Sequence, residues 1–147
     1  MRWIIPGLLA LAIGLTGLPI PAETGRKEAG QAAERFARAL STGESEALQA
    51  LLPQSGKILV SISDIGQGAG YFGRSQVEAL FSGYLAEFDF SDCRIDHIEV
   101  QESSYSRIDL TANRTGPGDA VSAVVFRLAF QPEQDRWVLR EIRESGR

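Results

Sequence analysis

The feature that most constrains the fold is the second half of the chain, which reads as four strand-like runs in succession. Cys93 to Gln101, Tyr105 to Asn113, Ala120 to Gln131 and Arg136 to Arg143 follow one another closely. Glu102-Ser103-Ser104, Arg114 to Asp119 and Pro132 to Asp135 join them as short, turn-like links. Links of that length make antiparallel neighbours, because a parallel pair needs a crossover of about a dozen residues or more. A four-stranded meander with one apolar face needs another layer to bury that face against.

The first half supplies that layer. In Gly73 to Phe88, the residues Val77, Leu80, Phe81, Tyr84, Leu85 and Phe88 recur at helical spacing and form one broad apolar stripe. Ser75 followed by Glu78 matches a capping box. A row of small residues, Ala79, Ser82, Gly83 and Ala86, predicts close approach by another element. Upstream, Ala29, Ala33, Phe36 and Leu40 mark an amphipathic helix from Glu28 that ends at Thr42-Gly43. Ser45 is expected to cap a shorter helix, Glu46 to Leu52, stopped by Pro53. Lys57 to Ser63 alternates Ile58, Val60 and Ile62 against Leu59, Ser61 and Ser63, the period of a half-buried strand. Asp64 to Gly73 reads as a loop and Asp89 to Asp92 as a turn. The expected class is α+β, with the helices packed on one face of a curved antiparallel sheet.

The chain opens with Met1-Arg2-Trp3, an apolar run from Ile4 to Ile20, and Pro21-Ala22-Glu23. A basic start, a short apolar run and a small terminal residue describe a secretory signal peptide. The expected organisation is residues 1–22 as signal peptide, 23–28 as a flexible lead-in and 29–144 as one domain. The expected location is periplasmic or extracellular, with no stable membrane span after cleavage. An uncleaved membrane anchor is the alternative. With 15 basic against 19 acidic residues the formal net charge is −4. That balance argues against nucleic acid and anionic membrane surfaces, which require clustered Lys and Arg. Cys93 is the only cysteine, so an intramolecular disulfide is excluded.

The order of elements resembles the cone-shaped fold of the nuclear transport factor 2-like superfamily. Thr42-Gly43-Glu44 before a short helix, Gly73-Arg74-Ser75-Gln76 opening the third helix and Arg136-Trp137-Val138-Leu139 in the last strand carry the resemblance. It spans Ala29 to Glu144, and within the superfamily it is similar to small secreted bacterial domains of unknown function. The resemblance implies a pocket between sheet and helices and admits isomerases, dehydratases, transport adaptors and proteins without known activity.

An isomerase or dehydratase of this kind needs a carboxylate base and a hydrogen-bond donor in an apolar cavity. The residue types that could serve are Asp64, Tyr71, Tyr84, His97, Tyr105 and Asp109. Asp64, Tyr84 and His97 are the candidates for catalysis; Tyr71, Tyr84, Phe88 and His97 are the candidates for binding a ligand. Tyr84 is expected to pack its ring in the core with its hydroxyl at the pocket rim. Asp96, adjacent to His97, points to the opposite sheet face unless a bulge intervenes. Cys93 shares the face of His97 at roughly 13 Å, too far to chelate one metal with it. No metal and no cofactor is expected. Gly66-Gln67-Gly68-Ala69-Gly70 lacks the spacing and the Lys of a phosphate-binding loop and reads as a connection.

Two functions follow as expectations. The first is an exported, non-catalytic domain that binds a small apolar ligand or a protein partner. The second is an enzyme of isomerase or dehydratase type with Asp64 or His97 as general base. The strand from Ala120 to Phe130 bears on the choice. Val124, Phe126, Leu128 and Phe130 should face the helices, yet the other face carries Val121, Ala123, Val125 and Ala129, interrupted only by Arg127. A solvated back face would alternate with polar residues. A homodimer packed sheet to sheet about these four residues is the expected partner arrangement.

Overall fold

The computed structural model describes residues 22–65, 69–101 and 104–146. Helix α1 spans Ala22–Thr42 and is followed by a short 3-10 helix, Ser45–Leu51. Strands β1 (Ile58–Ser61) and β2 (Gly70–Phe72) precede helix α2 (Arg74–Glu87). Strands β3 (Asp89–Gln101), β4 (Tyr105–Thr115), β5 (Val121–Glu133) and β6 (Arg136–Gly146) complete a six-stranded sheet. The proposed signal peptide, but for Ala22, lies outside the described residues, as do positions 66–68 of the glycine-rich connection.

The strand order is β2-β1-β6-β5-β4-β3. The sheet is mixed, which corrects the all-antiparallel expectation: β1 runs parallel to β6, and every other pair is antiparallel. The reason is topological. After α2 the chain starts again at the far edge with β3, and the meander returns until β6 lies beside β1 in the same direction. The helices lie on the inner face of this curved, open sheet, and together they form an α+β cone.

Ala29, Ala33, Phe36 and Leu40 of α1 are buried, as their spacing predicts. Gly43 closes α1 at φ 71°, with its N–H on the Ala39 carbonyl at 3.0 Å. That is the left-handed position where glycine avoids a Cβ clash. The helix also begins earlier than expected, so residues 23–28 form its first turns instead of a loose lead-in. Two side-chain bonds fasten those turns: Arg26 donates to the Ile98 carbonyl at 2.8 Å, and Trp137 Nε1 donates to Glu28 at 3.3 Å.

In α2, Val77, Phe81, Tyr84 and Leu85 are buried. Phe88, which ends the helix, is also buried, and Leu80 is half-buried. The capping box is not formed by Ser75 and Glu78. Gly73 is the N-cap; its N–H donates to Gln76 Oε1 at 2.9 Å, while Glu78 pairs with Arg74 one turn away. The small residues Ala79, Ser82, Gly83 and Ala86 are not buried, and a Cβ on Gly83 would meet nothing within 4 Å. They face outward, with no described element packed close on Gly83.

Three further local expectations fail. Glu44, not Ser45, is the N-cap of the 3-10 helix, and no side chain caps it. The loop before α2 contains β2, paired with β1. Asp89 to Asp92 is already strand, with Asp92 at φ 51° beside a bulge.

Candidate functional site

At one end of the cone the inner-face pattern of the sheet turns from apolar to polar. Along β4, Ile108, Leu110 and Ala112 are buried and the next inward position is Arg114; along β6, Ile142 is buried and the next is Glu144. The strand period brings both side chains to the rim under the C-terminal half of α2. Arg114 Nη1 donates to Asp64 Oδ2 at 2.8 Å, to Glu144 Oε1 at 3.0 Å and to the Tyr84 hydroxyl at 3.2 Å. Its guanidinium carbon lies 4.7 Å from the centre of the Phe88 ring, a cation–π contact. Gly116 keeps Phe88 close, since a Cβ there would stand 3.1 Å from the ring.

Below this rim the cone is occupied by aromatic rings. Phe36 meets Phe81 and Phe126 edge to face at 6.0 and 5.9 Å. Tyr84 packs on Phe81, Phe88 and Phe90 at 5.8, 5.2 and 5.5 Å, and Phe90 closes on Phe126 at 5.9 Å. These separations are those of favourable ring pairs.

Burial sets the electrostatics of the rim. Desolvation pushes the Tyr84 phenol up to about 12, opposed by its hydrogen bond from Arg114. The Glu144 carboxyl is also raised, chiefly by burial, against the lowering effect of Arg114. Its side chain is 7% exposed, and Oε2 is buried without a hydrogen-bond partner among the described residues. Tyr84 is therefore a neutral phenol at any physiological pH, and Glu144 is a carboxyl whose ionised form is disfavoured.

The structure brings together Asp64, Tyr84 and Phe88 of the sequence-selected residues, and Tyr84 sits as expected, ring in the core and hydroxyl at the rim. Arg114 and Glu144 were not selected. Arg114 opens the link that the sequence reads as a turn, although the inward row Ile108, Leu110, Ala112 points to it. Tyr71 stands apart on β2, 68% exposed.

His97 lies on the other face of the sheet. A bulge between Ile95 and His97 admits Asp96 as an extra residue and resets the alternation. Cys93 and Ile95 then pack inward with Ile98 and Val100, so Cys93 does not share the face of His97. The acid that His97 lacks on its own strand stands directly across, because its partner in register is Asp109 of β4. Asp96 instead accepts a hydrogen bond from Thr111. Tyr105 and Asp109 also line this outer face, far from the rim groups.

No family model matches the sequence, and no curated protein matches it. Solved structures do. A candidate dehydratase of the NTF2-like family from Streptomyces avermitilis superposes with TM-score 0.64 at 21% identity, covering 85% of this chain and 98% of that one. An NTF2-like protein from Anabaena variabilis gives 0.63 at 16%, over 88% and 94%. A candidate calcium/calmodulin-dependent protein kinase type II association domain from Thiobacillus denitrificans gives 0.62 at 16%, over 80% and 94%. At such identities the likeness is one of backbone path, and it agrees with the element order and the mixed sheet: this chain has the NTF2-like fold.

Proposed function

We propose that this is an exported, non-catalytic domain that works by binding a protein partner on the outer face of its sheet, the partner being a second copy of the chain. The observation that carries the reading is the state of the two faces. The cone interior holds packed rings from Phe36 to Phe126, while the outer face of four long strands is covered by no described element and leaves Val121 66% exposed. Val121, Ala123 and Val125 pair in register with Thr115, Asn113 and Thr111 on β4, and Val125 pairs with Ser145 on β6. These neighbours are polar but uncharged, and the nearest ions, Asp92 and Asp96, stand at the edge of the strip, where they accept from Asn113 and Thr111. Ala129 has no share in that surface: it is only 3% exposed within the single chain. The association domain among the solved likenesses is consistent with assembly as a use of this fold.

Native mass spectrometry of protein recovered from its own cells tests the reading. The expected species is two chains that begin at Glu23, with no apolar molecule held in the ring-filled cone. A single chain retaining a small molecule would contradict it.

One observation favours the enzymatic alternative: Glu144 and Tyr84, a carboxyl and a phenol both raised by burial, converge on Arg114. If proton abstraction occurs in this protein, Glu144 is the better placed base, since it is nearly buried beside Tyr84 whereas Asp64 reaches solvent and His97 is on the outer face. Turnover lost on Glu144→Gln with the fold intact would establish that reading over the first.

A further inference from the structure

We propose that the outer face also holds a binding site for a small oxyanion, a carboxylate or a phosphate, between the guanidinium groups of Arg127 and Arg143. The two residues are register partners on β5 and β6, so like charges stand directly opposite each other on one face. Such a pair costs stability unless something bridges it. Each arginine is steadied from one side: Asp109 lies 3.8 Å from Nε of Arg127, and Glu141 contacts Nε of Arg143. Among the described residues these ion pairs engage Nε alone and leave the Nη pair of each fork, the edge that takes an oxyanion bidentately. Asp109 Oδ1 is buried without a hydrogen-bond partner, so its hold on Arg127 is a loose one.

The shape of the face agrees. Ala129 stands between Arg107 and Glu141 in the next row, and its methyl forms the floor of a hollow of about 510 Å³. That volume suits a small molecule. Extra residues at Asp96 on β3 and at Arg140 on β6, the strands that flank the β4–β5 pair, bend the sheet at this level. Glu99, Asp109 and Glu141 balance Arg107, Arg127 and Arg143 in number, so net charge does not draw the ligand; the paired forks select it. The hollow begins one row beyond the apolar strip, since Arg127 follows Val125 by two residues on the same face of β5.

The test follows the arginine Nε–H signals by nuclear magnetic resonance as inorganic phosphate or succinate is added at constant ionic strength. Saturable shifts at Arg127, Arg143 and the Ala129 amide are expected. A stronger response to phosphate assigns the site to phosphate-bearing ligands, and a stronger response to succinate assigns it to carboxylates. Arg127→Gln and Arg143→Gln should each weaken binding about tenfold or more, whereas Arg38→Gln, an exposed arginine on α1, should leave it within about twofold. Val125→Arg should keep the site, since the hollow belongs to one chain. Shifts that never saturate, an equal loss on Arg38→Gln, or loss of binding in a folded Val125→Arg protein would overturn the proposal.

Discussion

Arg114 donates from one nitrogen to Tyr84, Asp64 and Glu144, which arrive from α2, the segment after β1 and β6. Removing it strands two carboxylates at the rim, one of them nearly buried. Arg114→Ala should therefore cost about 3 kcal/mol in chemical denaturation, at the lower end of the range for a broken buried pair because Asp64 still reaches water. The two raised groups act in the same direction and differ only in the pH range where they act. A phenol held at about 12 is bound neutral by the fold, while the unfolded chain ionises near its ordinary 10. The stability it confers is complete below pH 10 and is lost as pH rises from 10 towards 12. Tyr84→Phe should flatten that part of the stability profile relative to the wild type. Glu144 is raised from its ordinary value by burial, so the fold prefers it protonated; its contribution is greatest in acid and declines as pH rises through the folded value. Glu144→Gln, which keeps an oxygen for Arg114, should gain about 0.5–1 kcal/mol at neutral pH and nothing near pH 3. His97→Ala, on an exposed face, should shift stability by less than about 0.5 kcal/mol.

At the scale of elements, what repeats was legible in the sequence and what interrupts a repeat was not. The stripes of α1 and α2 and the inward row Val124, Phe126, Leu128 and Phe130 bury as their periods predict, because burial acts on every turn or every second residue alike. Bulges carry no such period. The extra residue at Asp96 puts Cys93 and His97 on opposite faces, and the sequence around it alternates no differently from its neighbours. The rim was half legible for a related reason. Asp64 and Tyr84 stood out as lone polar groups beside apolar patterns, but Arg114 and Glu144 fell at strand ends, where composition resembles a turn. Strand β2 escaped notice because three residues are too few to show a period. Two elements make sharp tests. Phe126→Ala, at the junction of the Phe36 and Phe90 rings, should cost about 3–5 kcal/mol. Gly43→Ala, at φ 71°, should cost about 1 kcal/mol through strain at the end of α1. Both are read as shifts of the denaturation midpoint.

For the whole molecule, the account joins an interior filled with rings to an outer face divided in two: an uncharged apolar strip at Val121 to Val125 and a charged hollow over Ala129. A two-fold contact on the strip makes every substitution there felt twice. Val125→Arg would place two like charges without partners inside the interface, at a cost of several kcal/mol, enough to dissociate it while leaving the single chain folded. Light scattering after size exclusion is the most direct measurement. The account predicts about twice the chain mass for the wild type at micromolar concentration and the single-chain mass for Val125→Arg with unchanged circular dichroism. A wild type that remains a single chain at high micromolar concentration would contradict it.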